Sequence, residues 1–248
     1  MPPIRTPKNN AAAPAPAVNA LAMMMQRKPV GKGVKDAQFA CSVHNWDDNY
    51  KRVIGTSTTS LVFGTAFVLT DDHIDDIIAL GSLVCKSLTQ FISKHADVSY
   101  DSPPGGAQLL TTDAVVRLVK ACPNLRIVQL QATRLIADKG LLGLFKYCPK
   151  LTLVEVTGPS RDSSKILSGQ ALDELRENPQ WAPKLKMLIL GETESNKEFM
   201  KAMRALTKER EKLVVRLLQR SEEKNYGDWD LVESRIDYQN GRKKPKKW

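Results

Sequence analysis

Between residues 58 and 218 the chain alternates between two patterns of apolar and polar positions. Short segments at residues 125–130, 151–156 and 185–190 carry apolar side chains at nearly every second position. That period places successive side chains on opposite faces of a strand. The pattern predicts one short, half-buried strand in each segment.

A different period precedes the strands. Apolar side chains there recur three and four residues apart, as on one face of a helix, and an aspartate suited to the N-cap opens each run. The clearest examples are Asp113, followed by Val115, Val116, Leu118 and Val119, and Asp138, followed by Leu141, Leu142, Leu144 and Phe145. A strand at residues 61–63 with a turn and helix over 68–80 fits the same frame. We expect a unit of strand, turn and helix, repeated about five times.

A four-residue phrase marks the boundary between the helices and the strands. Its copies are Cys85-Lys86-Ser87-Leu88, Cys122-Pro123-Asn124-Leu125, Cys148-Pro149-Lys150-Leu151 and Ala182-Pro183-Lys184-Leu185. The leucines are 37, 26 and 34 residues apart. This resembles the cysteine-containing leucine-rich repeat found in the F-box/leucine-rich-repeat proteins of eukaryotic ubiquitin ligases. Residues 101–106 form an insertion, and Thr133 and Pro159 replace the asparagine or cysteine that usually follows the strand.

The resemblance implies an α/β fold: a short solenoid with a parallel sheet on its concave face, helices outside and disordered termini. One unit cannot bury both apolar faces, so stacking on neighbours creates the core. We expect a disordered, basic, Ala/Pro-rich tail at 1–36, an N-terminal cap at 37–57, the solenoid at 58–218, a C-terminal cap at 219–240 and a basic tail at 241–248. Aromatic cover for the caps would come from Trp46, Tyr50, Trp229 and Tyr238.

The net charge of +10 belongs mostly to the two ends of the chain. Residues 1–40 carry six basic and one acidic side chain, and residues 207–248 carry twelve and eight. The middle carries nineteen and eighteen, which leaves it near neutral. We therefore expect any contact with nucleic acid to involve the tails only, with salt-sensitive and sequence-independent affinity.

The residues that invite a catalytic or metal-site interpretation have simpler explanations. The three repeat cysteines would be small core side chains in a reduced, intracellular protein. Cys41 and His44 lack the second pair of ligands that a zinc site needs. Around His73, four aspartates at positions 71, 72, 75 and 76 would line the solvent side of a first helical turn, where the helix dipole favours acids. His95 has no recognisable partner in its local sequence, and phosphate-loop and nucleophile-elbow motifs do not occur. We therefore predict no enzyme, no cofactor and no metal.

The strands predict a binding surface instead. Ile127, Leu153 and Met187 occupy equivalent positions and would form an apolar stripe on the concave side. Polar side chains would surround it, from Arg126, Gln129, Gln131, Glu155 and Lys186. The alternative is that an insertion or a terminal segment folds over this face and buries the stripe.

These features predict non-catalytic recognition of a protein partner of unknown identity. The resemblance implies substrate recognition in ubiquitin ligation as its most concrete form, although the chain has no Leu-Pro-x-Glu-Ile segment typical of an F-box. The alternative is an RNA- or chromatin-associated factor that uses the basic tails.

The ends of the chain bear on its location. A basic run, formed by Arg242, Lys243, Lys244, Lys246 and Lys247, is either a nuclear import signal or a solvated tail. No apolar run reaches the roughly 20 residues that cross a bilayer, so we expect no membrane partner. We expect the cytoplasm or the nucleus, with a mitochondrial presequence in the acid-free first 35 residues as a minor alternative.

Overall fold

Nine strands lie side by side in chain order in the computed structural model of this protein. It describes residues 30–41, 46–96, 105–159, 167–192, 194–225 and 227–245. The first seven strands pair in parallel, and the last two pairs are antiparallel. The described residues thus form a mixed α/β fold with an open, mostly parallel sheet.

Helices separate most of the strands. The strands are β1 (Asp36–Cys41), β2 (Ser60–Ala66), β3 (Gln90–Ser93), β4 (Ile127–Leu130), β5 (Leu153–Val156), β6 (Met187–Leu190), β7 (Val214–Asn225), β8 (Asp228–Gln239) and β9 (Arg242–Lys243). The helices are α1 (Tyr50–Val53), α2 (Asp71–Ala79), α3 (Ser82–Ser87), α4 (Thr112–Ala121), α5 (Asp138–Tyr147), α6 (Gln170–Glu177) and α7 (Lys197–Glu209). A single 3-10 turn at Asp47–Asn49 precedes α1. No helix among the described residues has the length and apolar character needed to span a membrane.

The core lies between one face of the sheet and the helices. Val128, Val154 and Leu188, at matching positions of β4, β5 and β6, are fully buried. Leu118 of α4 and Leu144 of α5 are buried as well. The strands and the helices therefore bury their apolar faces against one another.

Carboxylates tie the start of one helix to the start of the next. The Asp71 carboxylate in α2 accepts hydrogen bonds from the backbone N–H of Thr111 at 2.9 Å and from its hydroxyl at 2.6 Å. The Asp138 carboxylate in α5 accepts them from the N–H of Ala171 at 2.9 Å and of Ser168 at 2.7 Å. The first N–H groups of a helix have no partner within that helix, so these bonds both satisfy them and fix the stacking of the units.

The fold begins earlier than we predicted. Residues 31–36 were expected in the disordered tail, but the N–H of Val34 donates to the carbonyl of Val53 at 2.9 Å, and that of Thr56 to the carbonyl of Gly31 at 3.1 Å. The two backbones approach so closely that a Cβ on Gly55 would lie 2.2 Å from the Gly31 oxygen. Glycine is required at that contact.

Aromatic side chains from residues 46–50 pack on the first strands. Trp46 and Tyr50 are 5% and 7% exposed, and their rings stack at 4.8 Å. Trp46 also meets Phe39 edge to face at 5.0 Å and donates its indole N–H to Asp76 at 2.8 Å. The segment before α1 is thus joined to α2.

A long hairpin forms the other end of the sheet. Strands β7 and β8 each have 12 residues, so the predicted cap at 219–240 contains just over half of β7 and all of β8. Tyr238 is 1% exposed there, and the side chain of Trp229 lies outside the described residues. The predicted basic tail also starts within the sheet, because Lys243 in β9 pairs with Tyr238.

Candidate functional site

The face of the sheet that points away from the helices carries the predicted stripe. Ile127, Leu153 and Met187 are the first residues of β4, β5 and β6, and they lie opposite one another in register. All three are partly exposed, whereas the residue after each of them is fully buried. We call these three residues the apolar row.

A second row of side chains follows, two residues further along each strand. It places Gln129 beside Glu155, and Glu155 beside Ile189. We expected Glu155 on an exposed polar rim, but it is only 3% exposed. Its carboxylate accepts hydrogen bonds from the side-chain amides of Gln129 at 2.7 Å and Gln131 at 3.0 Å.

Arg220 of β7 covers this carboxylate. Its guanidinium lies 3.5 Å from Glu155, donates to the Thr157 hydroxyl at 3.0 Å and pairs with Glu233 of β8 at 3.1 Å. The side chains of Arg220 and Glu155 are 7% and 4% exposed. A terminal segment therefore closes the second row and leaves the apolar row open.

Sequence reasoning missed Arg220. The side chain reaches β5, which is two strands away from β7 in the sheet, so its partner depends on where the β7–β8 hairpin folds rather than on spacing along the chain. A second pair holds the base of the hairpin, because Arg216 binds the carboxylate of Asp237 at 2.7 and 2.9 Å. This guanidinium holds the pKa of Asp237 below its usual value.

The remaining predicted rim residues lie around the apolar row. Arg126 and Lys186 are exposed and immediately precede Ile127 and Met187. Gln129 is half-buried and faces the Glu155 network. The open part of the face thus combines apolar side chains with a cationic margin.

The repeat cysteines form a buried column between the helices and the sheet. Cys85, Cys122 and Cys148 are at most 1% exposed, and the Cys148 thiol lies 3.6 Å from the Cys122 carbonyl. Burial raises the pKa of Cys148 to about 12, and the contact with Cys85, together with burial, raises that of Cys122. The thiols of Cys122 and Cys148 are thus held protonated, and protonated, buried thiols are weak ligands and weak nucleophiles. Among the described residues, no group of His, Cys, Asp and Glu is arranged to hold a metal ion.

The aspartates of α2 do more than face solvent, in contrast to our expectation. Asp71 binds the start of α4, as described above. Asp75 forms a bidentate pair with Arg117 at 2.9 and 3.0 Å, and Asp76 accepts the Trp46 indole N–H. These acids connect neighbouring units.

His73 serves the start of the same helix. Its Nδ1 accepts a hydrogen bond from the N–H of Thr70 at 3.0 Å, and its ring lies 4.9 Å from those of Trp46 and Phe67. Burial lowers the pKa of His73, and the nearby acids oppose this only in part. His95 is also engaged locally, with Nδ1 3.1 Å from the Gly105 carbonyl.

The C-terminal basic run is only partly described. Arg242, Lys243 and Lys244 are exposed, and the Lys243 ammonium lies 3.3 Å from Glu194. Lys246 and Lys247 lie outside the described residues.

No protein-family model matches this chain, and no curated protein shows significant similarity to it. The functional argument therefore depends on the geometry of the open face. That face presents an in-register apolar row, which can bury apolar side chains of another molecule.

Proposed function

We propose that this protein is a leucine-rich-repeat solenoid whose function is non-catalytic recognition of a protein partner. Sequential parallel strands and helices that contact mainly their chain neighbours support this architecture. Substrate recognition in ubiquitin ligation is the form of the function that the resemblance implies.

The apolar row carries the proposal. Side chains of one chemical type lie on three adjacent strands about 4.8 Å apart, so they make one continuous contact surface. Completing the burial of three such side chains would contribute roughly 1 kcal/mol each. The buried Glu155–Arg220 pair next to them holds the second row in place, so the surface is preformed.

The experiment compares the full chain with two charge variants as baits in its native cells. Leu153→Glu places a carboxylate in the apolar row, whereas Leu83→Glu does so at a leucine that is 73% exposed on α3. Quantitative mass spectrometry identifies the proteins that each bait captures. We expect Leu153→Glu to lose partners that the parent chain and Leu83→Glu both retain.

Circular dichroism melts provide the folding control. Both variants should melt within a few degrees of the parent chain, because both side chains are accessible to solvent. Leu153→Ala removes most of the apolar contact without a charge and should weaken capture to a lesser extent. Retention of the same partners by Leu153→Glu would overturn the proposal.

A further inference from the structure

The aspartates of α2, α4 and α5 lie at the edge of the sheet where the helices begin. Asp71, Asp75, Asp76 and Asp138 are each bound to a group of this chain, whereas Asp72 is exposed. Asp113 follows the same rule, because it pairs with Lys139 of the next helix at 2.7 Å. Most of the carboxylates described at the edge where the helices begin are thus paired with groups of the same chain.

The opposite edge, where the helices end and the strands begin, carries acids as well: Glu177 and Glu209 pair with Arg176, and Glu211 is exposed. It also carries cations that have no acidic partner among the described residues. Five cations occupy the turns and first positions that lead into β4, β5, β6 and β7: Arg126, Lys150, Lys184, Lys186 and Lys212. All five are exposed, and none forms an ion pair within the described part of the chain. We call them the basic row.

Helix dipoles do not account for this row. A cation that complements a helix dipole lies in the last turn of the helix, as Lys146 does in α5. The members of the basic row follow those turns, and Lys150 is held there because its ammonium donates to the Asn124 side chain at 2.8 Å. Four adjacent strands span about 14 Å, so the row is an extended line of unpaired charge.

Two aromatic rings lie on the same edge. Tyr147, the last residue of α5, and Trp181, in the turn before β6, are half-buried, and the Lys146 ammonium is 5.8 Å from each ring centroid. A line of cations beside accessible aromatic rings is the arrangement by which proteins hold unpaired nucleotides, with phosphates on the cations and bases on the rings.

We propose that the basic row, with Tyr147 and Trp181, binds single-stranded nucleic acid without sequence preference. This activity lies beyond the proposed protein recognition and does not require the apolar row. A bilayer fits this edge less well, because the exposed large apolar side chains of the described residues lie outside these turns, at Val34, Leu83, Leu109 and Leu135.

The experiment uses a fluorescein-labelled 20-nucleotide oligouridylate and the full chain. Fluorescence anisotropy gives the affinity over a series of KCl concentrations. The variant K150E/K184E/K212E removes three members of the row, and K197E/K201E/K208E changes three exposed lysines of α7 by the same total charge. Each contact with a single strand contributes about −0.7 to the slope of log K against log salt, so the first variant should lose about 2 units of slope. The second variant should keep the parent slope.

A third variant tests the rings. Trp181→Leu should weaken binding by about tenfold and leave the salt slope unchanged, because stacking does not release counterions. Circular dichroism checks the fold, and K150Q/K184Q/K212Q repeats the test without reversed charge. Equal losses in both lysine variants would show a net-charge effect, and no loss in either would assign binding to the chain termini. Binding to vesicles with phosphatidylserine but not to the oligonucleotide would assign the row to membranes. Each of these three outcomes overturns the proposal.

Discussion

Replacing Arg220 with methionine should remove the contacts that hold the β7–β8 hairpin against the end of β5. The change removes the contact with Glu155, the hydrogen bond to Thr157 and the pair with Glu233. Glu155 would then be left as a buried carboxylate without a cationic partner. Removing one member of a buried ion pair costs about 3–5 kcal/mol. The side-chain amides of Gln129 and Gln131 still solvate the carboxylate, so we expect a loss of roughly 3 kcal/mol in the free energy of unfolding.

A double-mutant cycle identifies the cause of that loss. Glu155→Gln removes the buried charge, so Arg220→Met should cost less in the Glu155→Gln background than in the parent chain, by about 2 kcal/mol. Urea unfolding followed by circular dichroism measures all four proteins. The matched control is Arg216→Met in the same hairpin, whose pair with Asp237 is more exposed, at 27% for each side chain, and should contribute at most about 1 kcal/mol. Additive losses, or an Arg220→Met cost no larger than that of Arg216→Met, would refute the role of the buried pair.

Two further predictions concern the start of α2. Asp71→Ala should lower the free energy of unfolding by about 1–2 kcal/mol, because the N–H and hydroxyl of Thr111 lose their acceptor, whereas Asp72→Ala, at an exposed position, should change it little in the same urea assay. Because burial lowers the pKa of His73 in the folded state below 6.5, the unfolded chain takes up the proton first; stability should be complete above that pH and fall as the pH drops toward the folded-state pKa. Urea unfolding at pH 7.5 and at pH 5.5 measures how much the free energy of unfolding falls between the two pH values. That decrease should be smaller for His73→Gln than for the parent chain, and an equal decrease in both proteins would contradict the assignment to His73.

The spacing of apolar residues along the chain explains which elements could be predicted from the sequence. The strands expected at 125–130, 151–156 and 185–190 are observed as β4, β5 and β6, and α4 and α5 lie where the helical pattern predicts them. The N-caps, however, are Thr111 and Ala137, so Asp113 and Asp138 lie in the first turns instead. Both periods are set by residues within one turn or one strand, so a short stretch of sequence contains the necessary information.

The covering of the open face could not be predicted in the same way. The alternation of side chains along β5 places Glu155 on the face that points away from the helices. Its burial there depends on Arg220, which is 65 positions later in the chain. Nothing near Arg220 in the sequence indicates that the hairpin curls back toward β5. Alternation along a strand therefore indicates which residues share a face, but not which part of that face another segment covers.

The net charge of a region also says less than the positions of its charged side chains. The middle of the chain is nearly neutral in total, which led us to expect nucleic-acid contact only through the tails. In a stack of similar units, however, position within the unit decides the edge on which a side chain lies. The aspartates at the starts of α2, α4 and α5 and the lysines in the turns before β5, β6 and β7 therefore lie at opposite edges, although acids such as Glu177, Glu209 and Glu211 also lie at the second edge.

The two proposed surfaces meet at the beginning of β4 and β6, yet they can be separated. Arg126 and Lys186 directly precede members of the apolar row, so a protein seated on that row would contact both. Lys150 and Lys184 lie three residues before Leu153 and Met187, in the turns that follow α5 and α6. A substitution in the turns therefore leaves the apolar row intact. A charge at Leu153, conversely, leaves the turn lysines in place, and each activity can be removed without the other.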